Sequence, residues 1–187
     1  MASQFIHITL PDGTRKQVPA GCTVREALTP EGGRLDAKVL AAKINGEPMD
    51  LSRPLEQDAT IEPLTFESAE GREVYRHSST HIMAQAVKEV FPTAQLTIGP
   101  ALDDGFYYDF AFDRPFTPED LEKIEARAIE IMKRGLTVTR SELSKQDAIK
   151  FFQERGEGYK VELINSFDDA SPISLYRQGE FVDLCRG

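Results

Sequence analysis

The chain begins its regular structure with QFIHITLPDGTRKQVP, residues 4–19. The first seven of these residues, Gln4 to Leu10, alternate between apolar and polar side chains, which is the two-residue period of a β-strand. Pro11 presets a turn conformation and Gly13 accepts a left-handed backbone, so the segment that contains them predicts a tight reversal of the chain. Lys16 begins a return strand, and residues 4–19 therefore predict a β-hairpin.

The residues after this hairpin predict one short helix and further strands. Thr23 is suited to cap a helix over Val24–Leu28, and Glu26 occupies the third helical position of a capping box. Strand patterns follow at residues 40–44, ahead of the Asn45–Gly46 turn, and then at 49–51 and 59–64. A hairpin, one helix and further short strands predict a small β-grasp, ubiquitin-like domain over residues 1–66.

Residues 67–187 predict a second, larger α+β domain. A polar segment at 67–73 leads into a helix over residues 74–91, which Pro92 ends. Thr117 and Ser144 are suited to cap two further helices, at residues 118–134 and 145–154. Strands are expected in three places: two or three within residues 96–112, one at 159–164, and one or two within 175–184.

Composition and charge restrict the class of protein. The 187 residues are 40% hydrophobic and 28% charged, which is ordinary for a globular protein. The sequence lacks an apolar run near the ~18 residues of a membrane span and lacks a signal peptide, so we expect a cytoplasmic protein without membrane contact. A net charge of -9 argues against broad electrostatic binding of nucleic acid, although contact with one RNA end stays possible. Cys22 and Cys185 are expected to be reduced thiols.

Two of the three histidines lie four residues apart, at His77 and His81. This spacing places both imidazoles on one face of a helix, about one turn apart. Such a pair can bind a metal, or it can position and deprotonate a water molecule. Two half-buried polar residues on an amphipathic helix would show the same spacing, and the Glu of the zinc-protease motif is absent.

Other segments contain residues of chemical interest. A glycine loop at 156–158 leads to Lys160 at the start of a predicted strand, and the last segment carries Asp183 and Cys185. The motifs in chain order are HSSTHIMAQAV (77–87), IGP (98–100), DDGFYYDF (103–110), GEGYKVELI (156–164) and FVDLCRG (181–187). Their order and spacing resemble the N-terminal half of bacterial threonyl-tRNA synthetases. LPDGT (10–14) and INGEPMDLSRPL (44–55) resemble the TGS domain that begins those enzymes, so the resemblance covers essentially the whole chain.

The resemblance implies a TGS domain over residues 1–66 and an editing domain of the threonyl/alanyl type over residues 67–187. The family also has an aminoacylation domain and an anticodon-binding domain, which the resemblance does not include. ATP, magnesium and a zinc ion are expected only in that other part, so no cofactor is expected here. The family follows Cys-Arg-Gly with Pro-His, and that His completes the editing pocket. The sequence stops at Gly187, so a truncated editing domain with impaired activity is expected.

The implied function is hydrolysis of seryl-tRNA(Thr), in a protein whose full length attaches threonine to tRNA(Thr). One methyl group distinguishes threonine from serine, and a pocket gains only about 1–3 kcal/mol from it, so a second, hydrolytic site improves discrimination. The partner is the acceptor end of tRNA(Thr) carrying serine. The implied catalytic residues are His77, His81, Lys160, Asp183 and Cys185, with Gly99 and Tyr108 lining the pocket.

The chemistry of ester hydrolysis leads to a hypothesis for the role of each of these residues. His77 positions the water and the terminal ribose, and Lys160 stabilises the oxyanion or orients the water. Asp183 binds the ammonium group of serine, while His81 and Cys185 shape the pocket.

Several alternatives stay open at this point. Alanyl-type editing domains are understood to bind zinc at the equivalent His and Cys residues, but the threonyl type is understood to work without it, so we predict no metal. A free-standing alanyl-type deacylase acting in trans is a second possibility, against which the leading TGS domain argues. A non-catalytic tRNA-binding or regulatory module is a third. We expect a monomer for this chain and a homodimer for the full-length enzyme.

Overall fold

The computed structural model describes residues 5–102, 104–168 and 172–185. Contacts within the chain divide it into two compact units, residues 1–75 and 76–187. Four residues named in the predictions lie outside the described part of the chain: Gln4, Asp103, Arg186 and Gly187.

The first unit is built on a five-stranded sheet with the order β2-β1-β5-β3-β4. Strands β1 and β5 are parallel, and the other neighbours are antiparallel. The strands are β1 (Phe5–Thr9), β2 (Arg15–Pro19), β3 (Ala41–Ile44), β4 (Glu47–Met49) and β5 (Ala59–Leu64). The predicted hairpin is confirmed, and the topology is that of a β-grasp fold.

The short helix α1 (Val24–Leu28) packs its buried residues against the sheet to form the hydrophobic core of the first unit. Its capping box is formed as predicted, with Thr23 and Glu26 each bonding the other's backbone N–H. Alternate residues of β1 face inward, so Ile6 and Ile8 are buried with Val24 against the sheet. The strand predicted at residues 49–51 is wrong by two residues. Asn45 and Gly46 both have positive φ, which is typical of a two-residue hairpin turn, so β4 begins directly at residue 47.

The second unit combines helices with a three-stranded antiparallel sheet of order β10-β9-β8 and a short pair, β6 with β7. Its helices are α2 (Ala69–Val90, which begins in the first unit), α3 (Pro118–Lys133), α4 (Lys145–Gln153) and α5 (Gly158–Asn165). Its strands are β6 (Gln95–Leu96), β7 (Phe110–Ala111), β8 (Val138–Leu143), β9 (Ile173–Gln178) and β10 (Phe181–Leu184). Among the helices that the structure describes, none is both long and apolar enough to cross a membrane.

Two features of the second unit differ from the predictions. The strand predicted at residues 159–164 is wrong, because this segment forms helix α5. Lys160 and Ile164, four residues apart, are its buried residues, and this helical period outweighs the apparent alternation of apolar side chains. Strand β8 was not predicted. Its residues are exposed or half-buried, so its sequence shows little of the alternation that marks a strand.

Candidate active site

Helix α2 presents His77 and His81 on one face, as their spacing predicts. Their ring centroids lie 5.0 Å apart, and the two Nε2 atoms are 3.2 Å from each other. Both side chains are half-buried. The hydroxyl of Thr80 donates to the backbone carbonyl of His77, at 2.7 Å, and ties the turn between them.

Strand β10 and the residue that follows it bring an acid and a thiol to these imidazoles. Asp183 Oδ2 lies 3.1 Å from His81 Nδ1, and Cys185 Sγ lies 3.0 Å from His77 Nε2. Asp183 and Cys185 are two residues apart, so they point to the same face of an extended segment. The two histidines therefore each have a partner in the segment formed by β10 and the residue after it.

Lys160 completes the cluster from the first turn of α5. Its Nζ lies 2.7 Å from Asp183 Oδ1 and 3.0 Å from the hydroxyl of Tyr108. The Tyr108 hydroxyl in turn donates to Asp183 Oδ2, at 2.9 Å. The backbone N–H of Leu184 also bonds Asp183 Oδ1, at 2.7 Å. Asp183 thus accepts from four groups, although only 1% of its surface is exposed.

The electrostatics of this network favour a charged Asp183. Burial alone would raise the pKa of its carboxyl, but the hydrogen bond from His81 and the charge of Lys160 lower that pKa to about 2. Burial would also lower the pKa of His81, and its contacts with Asp183 and Cys185 outweigh this and raise it to about 9. Burial and the nearby Asp183 charge raise the pKa of Tyr108, so its hydroxyl remains a proton donor.

Cys185 is an acidic thiol at the edge of this network. Burial alone would raise its pKa, but the contacts with His77 and His81 stabilise the thiolate and lower the pKa to about 6. The pKa of Cys22, in the first unit, is instead raised by burial and by the charge of Glu26. The two cysteines therefore differ in thiolate content at neutral pH.

We expect Cys185 to titrate with a midpoint of about 6 when the ultraviolet absorbance of its thiolate is followed in a Cys22→Ser variant. Replacing His81 with glutamine in that variant removes the imidazolium and should move the midpoint up towards the ordinary value of about 8.5. In the matching Cys185→Ser protein, Cys22 is the remaining cysteine. The midpoint of its thiolate titration should lie above that of an ordinary thiol. An unchanged Cys185 midpoint in the His81→Gln protein would contradict the described contact.

Gly99 acts in this cluster through Tyr108. A Cβ atom at position 99 would lie 2.2 Å from Cδ2 of the Tyr108 ring, so only glycine allows the ring to take its place. The residue that approaches the Gly99 backbone is thus the tyrosine itself. Tyr108 is buried and stacks on Phe110, with ring centroids 4.9 Å apart.

The Gly99→Ala substitution should therefore displace Tyr108 and lower the free energy of unfolding by about 1–3 kcal/mol through overpacking. Gly105→Ala is the matched control, because a Cβ atom at position 105 meets nothing within 4 Å. Urea unfolding of both variants measures the difference. Equal free energies of unfolding in the Gly99→Ala and Gly105→Ala proteins would show that the Tyr108 ring leaves room for a side chain at position 99.

The structure brings together all seven residues of the predicted site. Five of them form the bonded network: His77, His81, Lys160, Asp183 and Cys185. Tyr108 bridges Lys160 to Asp183, and Gly99 packs on the Tyr108 ring. One buried acid near the network, Glu157, was not predicted, because a lone glutamate between glycines resembles a solvated loop residue.

Three donor atoms of the cluster could hold a metal ion. Atoms of His77, His81 and Cys185 lie within 4.8 Å of one another. Two imidazoles and a thiolate are ligands that zinc accepts, and Asp183 bonds the other ring nitrogen of His81, as carboxylates do beside zinc-bound histidines. The donor set fits zinc, and the absence of a metal stays a prediction.

Comparison with known proteins gives independent information on both units. A family model for the TGS domain matches residues 6–65. A threonine–tRNA ligase of Symbiobacterium thermophilum is 52% identical over 185 residues, which cover 99% of this chain and 28% of that protein. The ligase of the same name from Citrifermentans bemidjiense is 50% identical, over 97% of this chain and 28% of that protein. The ligase from Acetivibrio thermocellus is 48% identical, over 98% of this chain and 29% of that protein.

The β-grasp topology of the first unit agrees with the match of residues 6–65 to the TGS-domain model. The similarity to the three relatives continues far beyond this domain, through the unit that holds the cluster. The chain is homologous to the N-terminal region of the threonine–tRNA ligases. It spans 28–29% of the length of these relatives.

Proposed function

We propose that this chain edits tRNA(Thr), by hydrolysing the ester that joins a wrongly attached serine to the terminal adenosine. The observation that carries the proposal is the buried Lys160–Asp183–His81 network beside the half-buried His77. A positive charge, held in place by a buried carboxylate next to two imidazoles, supplies what ester hydrolysis needs. The name shared by the relatives supports tRNA(Thr) as the RNA concerned.

Ester hydrolysis needs an oriented water, a proton acceptor and stabilisation of the developing oxyanion. In the proposed mechanism, His77 positions the water and accepts its proton. Lys160 stabilises the oxyanion, because its ammonium group is fixed by Asp183 and Tyr108 before the substrate arrives. Such preorganised charge is worth more in a water-poor site than in solution.

Asp183 has a different role in this mechanism from the one hypothesised from the sequence. Its two oxygens already accept bonds from Lys160, His81, Tyr108 and the backbone of Leu184. A serine ammonium group could bind Asp183 only by replacing one of these donors. We therefore assign Asp183 the task of holding Lys160 and His81 in place.

Discrimination against serine gives the reaction its purpose. A binding pocket alone separates threonine from serine by roughly 10–200-fold, and a second site that hydrolyses the smaller ester multiplies this factor. We further propose that a protein containing this chain attaches threonine to tRNA(Thr) with ATP, magnesium and zinc bound outside these residues, and that it forms a homodimer.

The proposal assigns no metal to the pocket, although the His77–His81–Cys185 donors favour a zinc-assisted deacylase as the second candidate. Elemental analysis of the purified chain separates the two. Stoichiometric zinc that a chelator removes together with the activity would establish the second candidate.

The direct test is release of serine from seryl-tRNA(Thr) in excess over the chain. Many turnovers per chain would support an enzyme. Retention of the tRNA on the chain without faster hydrolysis would instead identify a binding module. The overall charge of -9 makes tight RNA binding by this chain alone unexpected, so substrate concentrations should extend above the micromolar range.

A further inference from the structure

A second ion pair, with a buried carboxylate, involves a lysine on the same face of α2 as the two histidines. Lys88, two helical turns after His81, places its Nζ 2.7 Å from Glu157 Oε1. Only 8% of the Glu157 side chain is exposed. The mechanism above uses neither residue, yet burying a carboxylate is costly unless it is paired and hydrogen-bonded.

The other oxygen of Glu157 bonds the strand pair that leads to Tyr108. Its Oε2 accepts from the backbone N–H of Leu96, at 3.1 Å. Leu96 pairs with Phe110 across β6 and β7, and Phe110 stacks on Tyr108. The position of the Glu157 carboxylate is thus linked to one wall of the candidate active site.

The backbone of Glu157 starts the helix that carries Lys160. Its carbonyl oxygen accepts from the N–H groups of Lys160, at 3.1 Å, and of Val161, at 3.2 Å. Gly156, immediately before it, has a φ of 70°, a left-handed conformation that favours glycine. The chain therefore turns sharply and begins α5 at the residue whose side chain is held by Lys88 and Leu96.

Lys88 in turn holds the end of α2. Its ammonium group donates to the backbone carbonyls of Pro92 and Ala94, each at 2.9 Å, besides contacting Glu157. All three of its donors have partners. The Lys88–Glu157 pair therefore joins the end of α2, the start of α5 and strand β6 at one point.

We propose that Glu157 is a positioning residue for the reaction, holding Lys160 at bonding distance from Tyr108 and Asp183. Lys160 reaches Tyr108 from α5, and Tyr108 approaches from the β6–β7 side, so their 3.0 Å contact depends on how these elements are joined. Glu157 joins them through its side chain and backbone together. This inference rests on the proposed hydrolytic function of the Lys160 network.

Two substitutions of Glu157 separate its two tasks. Glu157→Gln keeps the size and an oxygen for the Leu96 N–H but loses the charge that pairs with Lys88. Glu157→Ala loses both. Because a displacement of about 1 Å can cost roughly 100-fold in rate, we expect kcat for serine release to fall about 10-fold in the first variant and about 100-fold in the second, with KM nearly unchanged.

Asp120→Asn is the matched control. Asp120 is likewise a buried carboxylate in an ion pair, with Arg114, and lies in the first turn of α3, an element that contributes no residue to the cluster. The Asp120→Asn variant should be less stable than the unsubstituted chain, while its kcat stays within about twofold of that of the unsubstituted chain. The double variant Lys88→Met/Glu157→Gln is a second check when it is compared with the two single variants. Because residues that act as a pair show non-additive effects, its loss of kcat should differ from the product of the two single losses.

The outcomes distinguish this inference from the proposed function. An active wild-type chain whose Glu157→Gln variant behaves like Asp120→Asn would overturn the positioning role alone. A wild-type chain without hydrolysis would overturn the proposed function. In that case the positioning role is tested by nuclear magnetic resonance of the imidazole nitrogens of His77 and His81. A change in Glu157→Gln but not in Asp120→Asn supports it, and unchanged resonances contradict it.

Discussion

Replacing Lys160 with methionine is expected to slow hydrolysis of seryl-tRNA(Thr) strongly and to destabilise the second unit. Methionine fills most of the space of the lysine stem but leaves Asp183 without its closest cation, 2.7 Å away. Breaking a buried pair on one side costs about 3–5 kcal/mol, because the other charge stays uncompensated. His81 still bonds Asp183, so we expect the lower end of this range. Removal of the oxyanion partner should lower kcat roughly 100- to 1000-fold.

A double variant separates the two effects of this substitution. Adding Asp183→Asn to Lys160→Met removes the uncompensated charge, so part of the stability should return while kcat stays as low as in Lys160→Met. Lys123→Met is the control, since 64% of the Lys123 side chain is exposed. Urea unfolding and serine release measure both quantities. Full stability in Lys160→Met alone would contradict the buried ion pair.

The His77→Ala substitution should lower kcat by about 100- to 10,000-fold, which is the usual contribution of a general base. Its effect on stability should be about 1 kcal/mol or less, because the side chain is only half-buried and its bonds are to Cys185 and His81. Loss of activity with little loss of stability is thus the signature expected of His77, in contrast to Lys160.

The matched control for His77 is His7→Ala. His7 lies on β1 of the first unit, and 55% of its side chain is exposed near Asp58. Hydrolysis by that variant should equal that of the unsubstituted chain. Comparable kcat values in the His77→Ala and His7→Ala proteins would remove His77 from the mechanism.

Local signals in the sequence predicted much of the fold. The turn residues of the first hairpin and the Thr23 capping box act over three or four residues, so they are visible without knowledge of the rest of the chain. Local signals gave the wrong prediction for the segment at 158–165. Its apolar residues fit both a strand and a helix, and packing of Ile164 with Phe152 and other buried residues selects the helix.

The candidate site depended on information that spacing alone does not contain. His77 and His81 are recognisable as a pair, but Asp183 is 102 residues away from His81, and Lys160 reaches it from a helix predicted as a strand. The resemblance to a family supplied these residues. It did not supply Glu157, whose burial follows from Lys88 and Leu96, 61 or more residues earlier in the chain.

The most direct measurement compares hydrolysis of seryl-tRNA(Thr) and threonyl-tRNA(Thr) by this chain under identical conditions. We predict that serine is released at least about 100-fold faster than threonine, because the added methyl group must be excluded from the pocket. The Lys160→Met protein should remove this difference. Equal release of both amino acids, or release of neither above the rate in buffer, would contradict an editing function for this chain.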